Sequence, residues 1–151
     1  MTDVIIEQTS DAIPNDLLLL SDPSEEVIAE YIHSSIKFIA RINTKIVGAL
    51  LLLKTRPKTM EIMNISVYEE YQNQGIGKKL INKAIDYAKE RKIRTLEIGT
   101  GNPGIIQLML YQKCGFRIVG VEFDYFRKNH KERIFENGIE CRDMIRMNME
   151  F

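Results

Sequence analysis

Val67-Tyr68-Glu69-Glu70-Tyr71-Gln72-Asn73-Gln74-Gly75-Ile76-Gly77-Lys78-Lys79 links an apolar, β-branched segment (Ile62 to Val67) to an amphipathic one (Gly77 to Arg91). That order reads as strand, loop, helix. The first N–H groups of a helix have no intrahelical partner and carry the positive end of its dipole. Glycines at 75 and 77 would let an anion approach bare backbone, and Lys78 and Lys79 add positive charge. Two common phosphate loops do not fit. A P-loop needs glycine and Ser or Thr where this chain has Gln72 and Lys79, and a dinucleotide fingerprint needs glycine where it has Leu80.

What does fit is Gln-x-x-Gly-x-Gly, at Gln72 to Gly77, directly after a strand. This resembles the acetyl-CoA pyrophosphate loop of the GNAT superfamily of N-acetyltransferases. A second stretch, Leu110-Tyr111-Gln112-Lys113-Cys114-Gly115-Phe116, is similar to the same family's Leu-Tyr-x-Lys-x-Gly-Phe segment.

Composition bounds the remaining classes. The chain has 151 residues, enough for one domain with a substantial core, and one domain over 1–151 is expected. It is 44% hydrophobic and 28% charged, with 21 basic and 21 acidic residues, so there is no global field to attract nucleic acid or an anionic membrane. No apolar run approaches the roughly 18 residues that span a bilayer. Met1-Thr2-Asp3 lacks a basic start of the signal-peptide kind, so a cytoplasmic protein is expected. Cys114 and Cys141 are isolated, and with only His33 and His130 as other soft ligands no metal site is expected.

Periodicity places the other elements. Val4 to Gln8 suits a strand, and Pro14-Asn15-Asp16 opens a short helix through four leucines. Asp22-Pro23-Ser24-Glu25 reads as cap, first-turn proline and capping-box glutamate of a second helix, with Val27, Ile28, Tyr31 and Ile32 as its apolar face. Ile36, Phe38, Ala40 and Ile42 alternate, and a turn at Asn43-Thr44 leads into a strand apolar on both faces from Ile46 to Leu53. Met60 to Val67 returns after Arg56-Pro57-Lys58. The helix after the glycine loop buries Leu80, Ile81, Ala84, Ile85 and Ala88. A strand over Thr95 to Gly99, a helix over Ile105 to Lys113 and strands over Phe116 to Phe123 and Asp143 to Met149 complete the order, with Asp124 to Arg142 as a polar connection.

The order β, α, α, β, β, β, α, β, α, β, β implies a mixed α/β (α+β) architecture. It is also the GNAT order. The resemblance implies a mostly antiparallel sheet, helices on both faces and one splayed parallel pair, Ile62 to Val67 beside Thr95 to Gly99. It implies acetyl-CoA as cosubstrate and a small-molecule or peptide primary amine as acceptor, acetylated by direct attack. The pantetheine arm would run along Ile65, Ser66 and Val67, and the pyrophosphate would lie on Gln72, Asn73, Gln74, Gly75, Ile76, Gly77 and Lys78. The family's position for a tyrosine near the sulfur falls on Tyr111, as proton donor to the leaving thiolate, and the Val67 N–H would hold the thioester oxygen.

Glu61 is the candidate base, eleven residues before Gln72 and flanked by apolar residues, with Glu97 or a water chain as competitors. The family's asparagine seven residues before the tyrosine is absent, since Gly104 stands there. Asn102 either reaches the cofactor by a shifted route or caps the helix ahead of Pro103. Acceptor walls would come from Asp16 to Ser34 and Asp124 to Arg142. A homodimer stays open, and the alternative function is a non-catalytic module of this fold that binds acyl-CoA for regulation.

Overall fold

The computed structural model describes residues 3–151; Met1 and Thr2, where the reading of the chain's start falls, lie outside the described residues. Seven strands form one sheet in the order β1-β2-β3-β4-β5-β9-β6. They are β1 (Val4–Thr9), β2 (Ile36–Ile42), β3 (Lys45–Arg56), β4 (Thr59–Val67), β5 (Thr95–Gly101), β6 (Arg117–Glu122) and β9 (Met144–Glu150). All neighbours are antiparallel except β4 and β5.

β3 is buried on both faces, as its uninterrupted apolar run predicts. Leu50 and Leu52 join one core with α3 (Ile76–Glu90) and α4 (Ile105–Lys113), which also contains Phe38, Ile62, Leu96 and Met147. Ala49 and Leu51 face the other core, closed by α1 (Asn15–Leu18) and α2 (Glu25–Tyr31). The stripe Leu80, Ile81, Ala84, Ile85 and Ala88 is buried. Helices thus cover both faces of a mostly antiparallel sheet. Among the described residues no helix is long and apolar enough to cross a membrane.

Several local readings need correction. Ser24, not Asp22, caps α2, its Oγ accepting from the Val27 N–H at 3.2 Å. Asp22 is instead drawn inward by Tyr31 and His130, a tertiary demand no local pattern contains. Helix α3 begins at Ile76 behind Gly75, because the buried Ile76 side chain anchors the first turn. Gly104, not Asn102, precedes α4. The connection 124–142 is not a plain loop: it holds α5 (Tyr125–Asn129) and the hairpin β7 (Ile134–Glu136) and β8 (Ile139–Cys141). Its turn residues Asn137 and Gly138 have φ of 54° and 74°, the pairing that two-residue hairpins favour.

Phe38 has no exposed surface and meets Tyr87 edge-on at 5.4 Å, joining β2 to α3. Phe38→Ala is expected to cost about 3–5 kcal/mol in urea unfolding, while Ile5→Ala at the exposed sheet edge should stay within about 0.5 kcal/mol. Equal losses would contradict this placement of the core.

Candidate active site

The parallel pairing of β4 and β5 runs from Thr59 beside Thr95 to Ile62 beside Ile98 and stops there. Both strands continue. β4 stays on β3 as far as Val67 opposite Gly48, and β5 stays on β9 as far as Gly101 opposite Met144. The cause is a bulge. Asn64 faces Leu51 and Ile62 faces Leu52, so Met63 is an extra residue that bends β4 away from β5. Tyr68 N–H donates to the Val47 carbonyl at 3.0 Å. By antiparallel alternation, the main-chain groups of Ile65 and Val67 then face the gap.

The side chains on this stretch point elsewhere. Ile65 and Val67 pack towards the α3 core. Ser66 Oγ donates to Asn64 Oδ1 at 2.7 Å, and Asn64 Nδ2 donates to the Leu18 carbonyl at 3.0 Å and to Tyr31 Oη at 3.2 Å. The chain continues through Tyr31 Oη, which donates to Asp22 Oδ2 at 3.0 Å, and His130 Nε2, 3.1 Å from Asp22 Oδ1. The Asn64 and Ser66 side chains are therefore turned away from the gap, and their main chains pair with β3, so the backbone open to it is that of Ile65 and Val67.

Above the gap lies the glycine loop. Gln72 Nε2 donates to the Val67 carbonyl at 2.8 Å, folding the loop back onto the end of β4. Asn73 and Gly75 have φ of 62° and 81°, and Gln74 Nε2 reaches the Glu70 carbonyl at 3.4 Å. The first helical bond of α3 is from Lys79 N–H to the Gly75 carbonyl. The amides of Gly75, Ile76, Gly77 and Lys78 are consequently free of helical partners, at the positive end of a 15-residue helix. A Cβ on Gly75 would meet nothing within 4 Å, so the space over these amides is open. Beside them runs α4, whose Leu110 Cδ2 would lie 3.6 Å from a Cβ on Gly77.

Tyr111 is buried on α4, and its placement explains the second motif. Phe116 N–H donates to the Tyr111 carbonyl and Gly115 N–H to the Gln112 carbonyl, with Gly115 at φ 108°. These are the paired bonds of a Schellman cap, in which glycine supplies the left-handed residue and the flanking apolar residues touch. Tyr111 and Phe116 are those residues, their rings edge-on at 6.4 Å. Burial raises the Tyr111 hydroxyl above the ordinary tyrosine value, so it stays protonated. Cys114 is half-buried, with its thiol pushed up by burial.

Glu61 lies on the opposite face, one residue below the end of the pairing and directly beside Glu97. Arg146 Nη1 donates to Glu61 Oε2 at 3.0 Å, and the same guanidinium donates to Glu122 Oε1 at 2.7 Å while lying 5.2 Å from the Tyr125 ring. Arg56 Nη2 holds Glu97 Oε2 at 2.8 Å. Burial raises the Glu61 carboxyl above the ordinary glutamate value; Arg146 opposes this and Glu97 adds to it.

Asn102 sits apart from these groups. Its Oδ1 accepts from the Arg142 and Asp143 N–H groups at 2.9 and 3.0 Å, and its Nδ2 donates to the Glu140 carbonyl at 3.1 Å. It staples the connection to the end of β5. Sequence reasoning missed Arg146 and the Asp22, Tyr31, Asn64 and His130 chain, whose members are up to 108 residues apart. It also missed the hairpin, which the Asn137-Gly138 pair between Ile134-Phe135-Glu136 and Ile139 signals. Among the described residues no three His, Cys, Asp or Glu side chains converge where a metal ion could be held.

Residues 9–116 match the family model described as acetyltransferase (GNAT) family. An IAA acetyltransferase from Bacillus cereus is 53% identical, with a TM-score of 0.94 over 99% of this chain and 100% of that one. A GNAT family acetyltransferase from Elizabethkingia anophelis, solved with acetyl-CoA bound, is 45% identical with a TM-score of 0.94 over 98% of each chain. The uncharacterized N-acetyltransferase YvbK of Bacillus subtilis is 49% identical over 144 residues, 95% of this chain and 92% of that one.

A side chain at Gly115 would have to adopt φ 108° and would approach Met149 Cε to 3.2 Å. Gly115→Val is therefore expected to destabilise the fold by about 1–3 kcal/mol, read from urea denaturation. A stability within error of the parent would mean that the cap does not hold Tyr111 in place.

Proposed function

The chain belongs to the acetyltransferase (GNAT) family, and from that premise we propose that it transfers the acetyl group of acetyl-CoA to a primary amine by direct attack in a ternary complex. The observation that carries the reading is the end of the β4–β5 pairing at Ile62 and Ile98, which opens a passage between the two faces of the sheet. The pantetheine arm would continue the ladder as a pseudo-strand on the free main-chain groups of Ile65, with the Val67 N–H beyond them and the Val67 carbonyl already accepting from Gln72. Its pyrophosphate would lie on the amides of Gly75 to Lys78, where helix dipole and unpaired donors favour an anion. Asn73, Gln74 and the Gln72 bridge would shape the loop around it, and Ser66, whose main chain pairs with β3, would act only by holding β4 in place. Asn102, spent on the connection, is best read as architectural.

The two faces divide the proton work. An alkyl ammonium has a pKa near 10.4 and must lose a proton before it can attack. Glu61, raised by burial and lying on the α1/α2 face, suits the acceptance of that proton directly or through water. The amine nitrogen then bonds to the thioester carbon, and the oxyanion that forms is held by the Val67 N–H. As the C–S bond breaks, the thiolate takes a proton from Tyr111, which reaches it from the α3/α4 face. The carboxylates of Asp22, Glu61 and Glu97 around the acceptor side favour a cationic amine.

Three measurements test this. Tyr111→Phe should lower kcat by about 10²-fold or more, as should Glu61→Gln, with the affinity for acetyl-CoA kept. Gly75→Val should raise the Kd for CoA by about tenfold, or 1.4 kcal/mol, in calorimetric titration. The base must be ionised, so kcat/KM should fall as pH drops through the Glu61 pKa. Arg146 lowers that pKa, so Arg146→Met should move the acid limb to higher pH. Failure of the parent protein to bind any acyl-CoA would sink the proposal, and an unmoved limb would remove Glu61 from it.

A further inference from the structure

Strand β6 ends the sheet and pairs only with β9, so its outer main-chain groups are unpaired. Its surroundings are unusually apolar. Of the twelve large apolar side chains left exposed among the described residues, six lie on α4 and β6: Ile105, Ile106, Met109, Ile118, Val119 and Val121. Ile118 and Val121 oppose Met147 and Ile145 of β9, which places them on the sheet face that α4 covers. On α4 itself an open depression of about 530 Å³ is lined by Ile105, Leu108, Met109, Gln112 and Lys113. Monomeric proteins rarely leave contiguous apolar surface of this kind uncovered.

We infer that β6 pairs antiparallel with β6 of a second copy of this chain, forming a two-fold dimer with the α4 helices side by side. The strand carries its own complement. Ile118 faces Met147 and Gly120 faces Arg146, so Val119 is the extra residue of a bulge. Without it Arg117 and Glu122 would fall on opposite faces. With it, they oppose Asn148 and Met144 and share one face, while Ile118 and Val121 share the other. An antiparallel pair centred on Gly120 then sets Arg117 against Glu122 of the second copy and Ile118 against its Val121, each contact made twice. A two-fold axis perpendicular to a continuous sheet preserves faces, and only the bulged strand meets that condition with this charge pairing. A bulge usually turns an edge away from partners; here it makes the edge self-complementary.

Charge inside one copy argues the same way. Arg146 serves two carboxylates, Glu61 and Glu122. That group of three carries one negative charge in excess. Arg117 of the second copy would bring a second cation to Glu122 and balance it two against two.

Sedimentation equilibrium at micromolar concentration tests the inference. The parent protein should have twice the mass of the chain, and Arg117→Glu and Glu122→Lys alone should each be monomeric through like-charge repulsion at both contacts. Mixed in equal amounts, the two variants should regain the dimer mass, because each repulsive contact becomes attractive. Circular dichroism checks folding. If Glu122→Lys unfolds, Ile118→Lys replaces it and should be monomeric while Arg117→Lys stays dimeric. A monomeric parent, a dimer that Arg117→Glu or Ile118→Lys leaves intact, or a mixture that stays monomeric would each overturn the proposed interface.

Discussion

β4 and β5 cannot remain paired beyond Ile62 and Ile98, because each is held by its other neighbour along a diverging course. The extra residue Met63 bends β4 with β3, while β5 follows β9 to Gly101. A sheet whose central pair opens in this way presents unpaired main-chain groups in its interior. Unsatisfied backbone polar groups are costly when buried, so the opening has to meet water or a ligand that can hydrogen-bond like a strand. The free amides of α3 continue that row of donors.

The opening also decides which side chains can work together. Alternation on β4 sends Met60 and Ile62 into the core with Tyr111 and sends Glu61 to the other face, beside Glu97 and Arg146. Only through the gap do the two faces of the sheet communicate. On the Glu61 side, burial and the Arg146 ion pair pull the carboxyl pKa in opposite directions, and burial is the larger influence. Arg146 itself is held by Glu122 and by the Tyr125 ring, so the position of this cation depends on β6, β9 and the connection at once.

Much of this was legible locally. The Gln72 to Gly77 pattern is a helix-start motif: Gln72 ties back to Val67 and Gly75 takes the left-handed conformation before α3. The Tyr111 to Phe116 pattern is a helix ending, with Gly115 at the one residue where φ must be positive. Such bonds join residues no more than five apart, which is why short patterns report them. Asp22 shows the converse. Its neighbours make it look like a helix cap, but Tyr31 and His130 claim its carboxylate and Ser24 caps instead. Asn102 likewise reads as a cap or a cofactor contact and is used as a staple, because its partners at Glu140, Arg142 and Asp143 arrive from the far end of the chain.

By itself the amino-acid sequence determined the order of the seven sheet strands and of α1 to α4, the core stripes, a helix start within a residue of the glycine loop and the glycine that ends the helix carrying Tyr111. Each rests on periodicity or on bonds between near neighbours, and those interactions are written in consecutive residues. Only the tertiary structure decided where β4 and β5 part, that Arg146 stands against Glu61, and that a bulge sets Arg117 and Glu122 on one face of β6 and Ile118 and Val121 on the other. These depend on strand register and on charges brought together across as many as 85 residues, and register is set by the packing of the whole sheet.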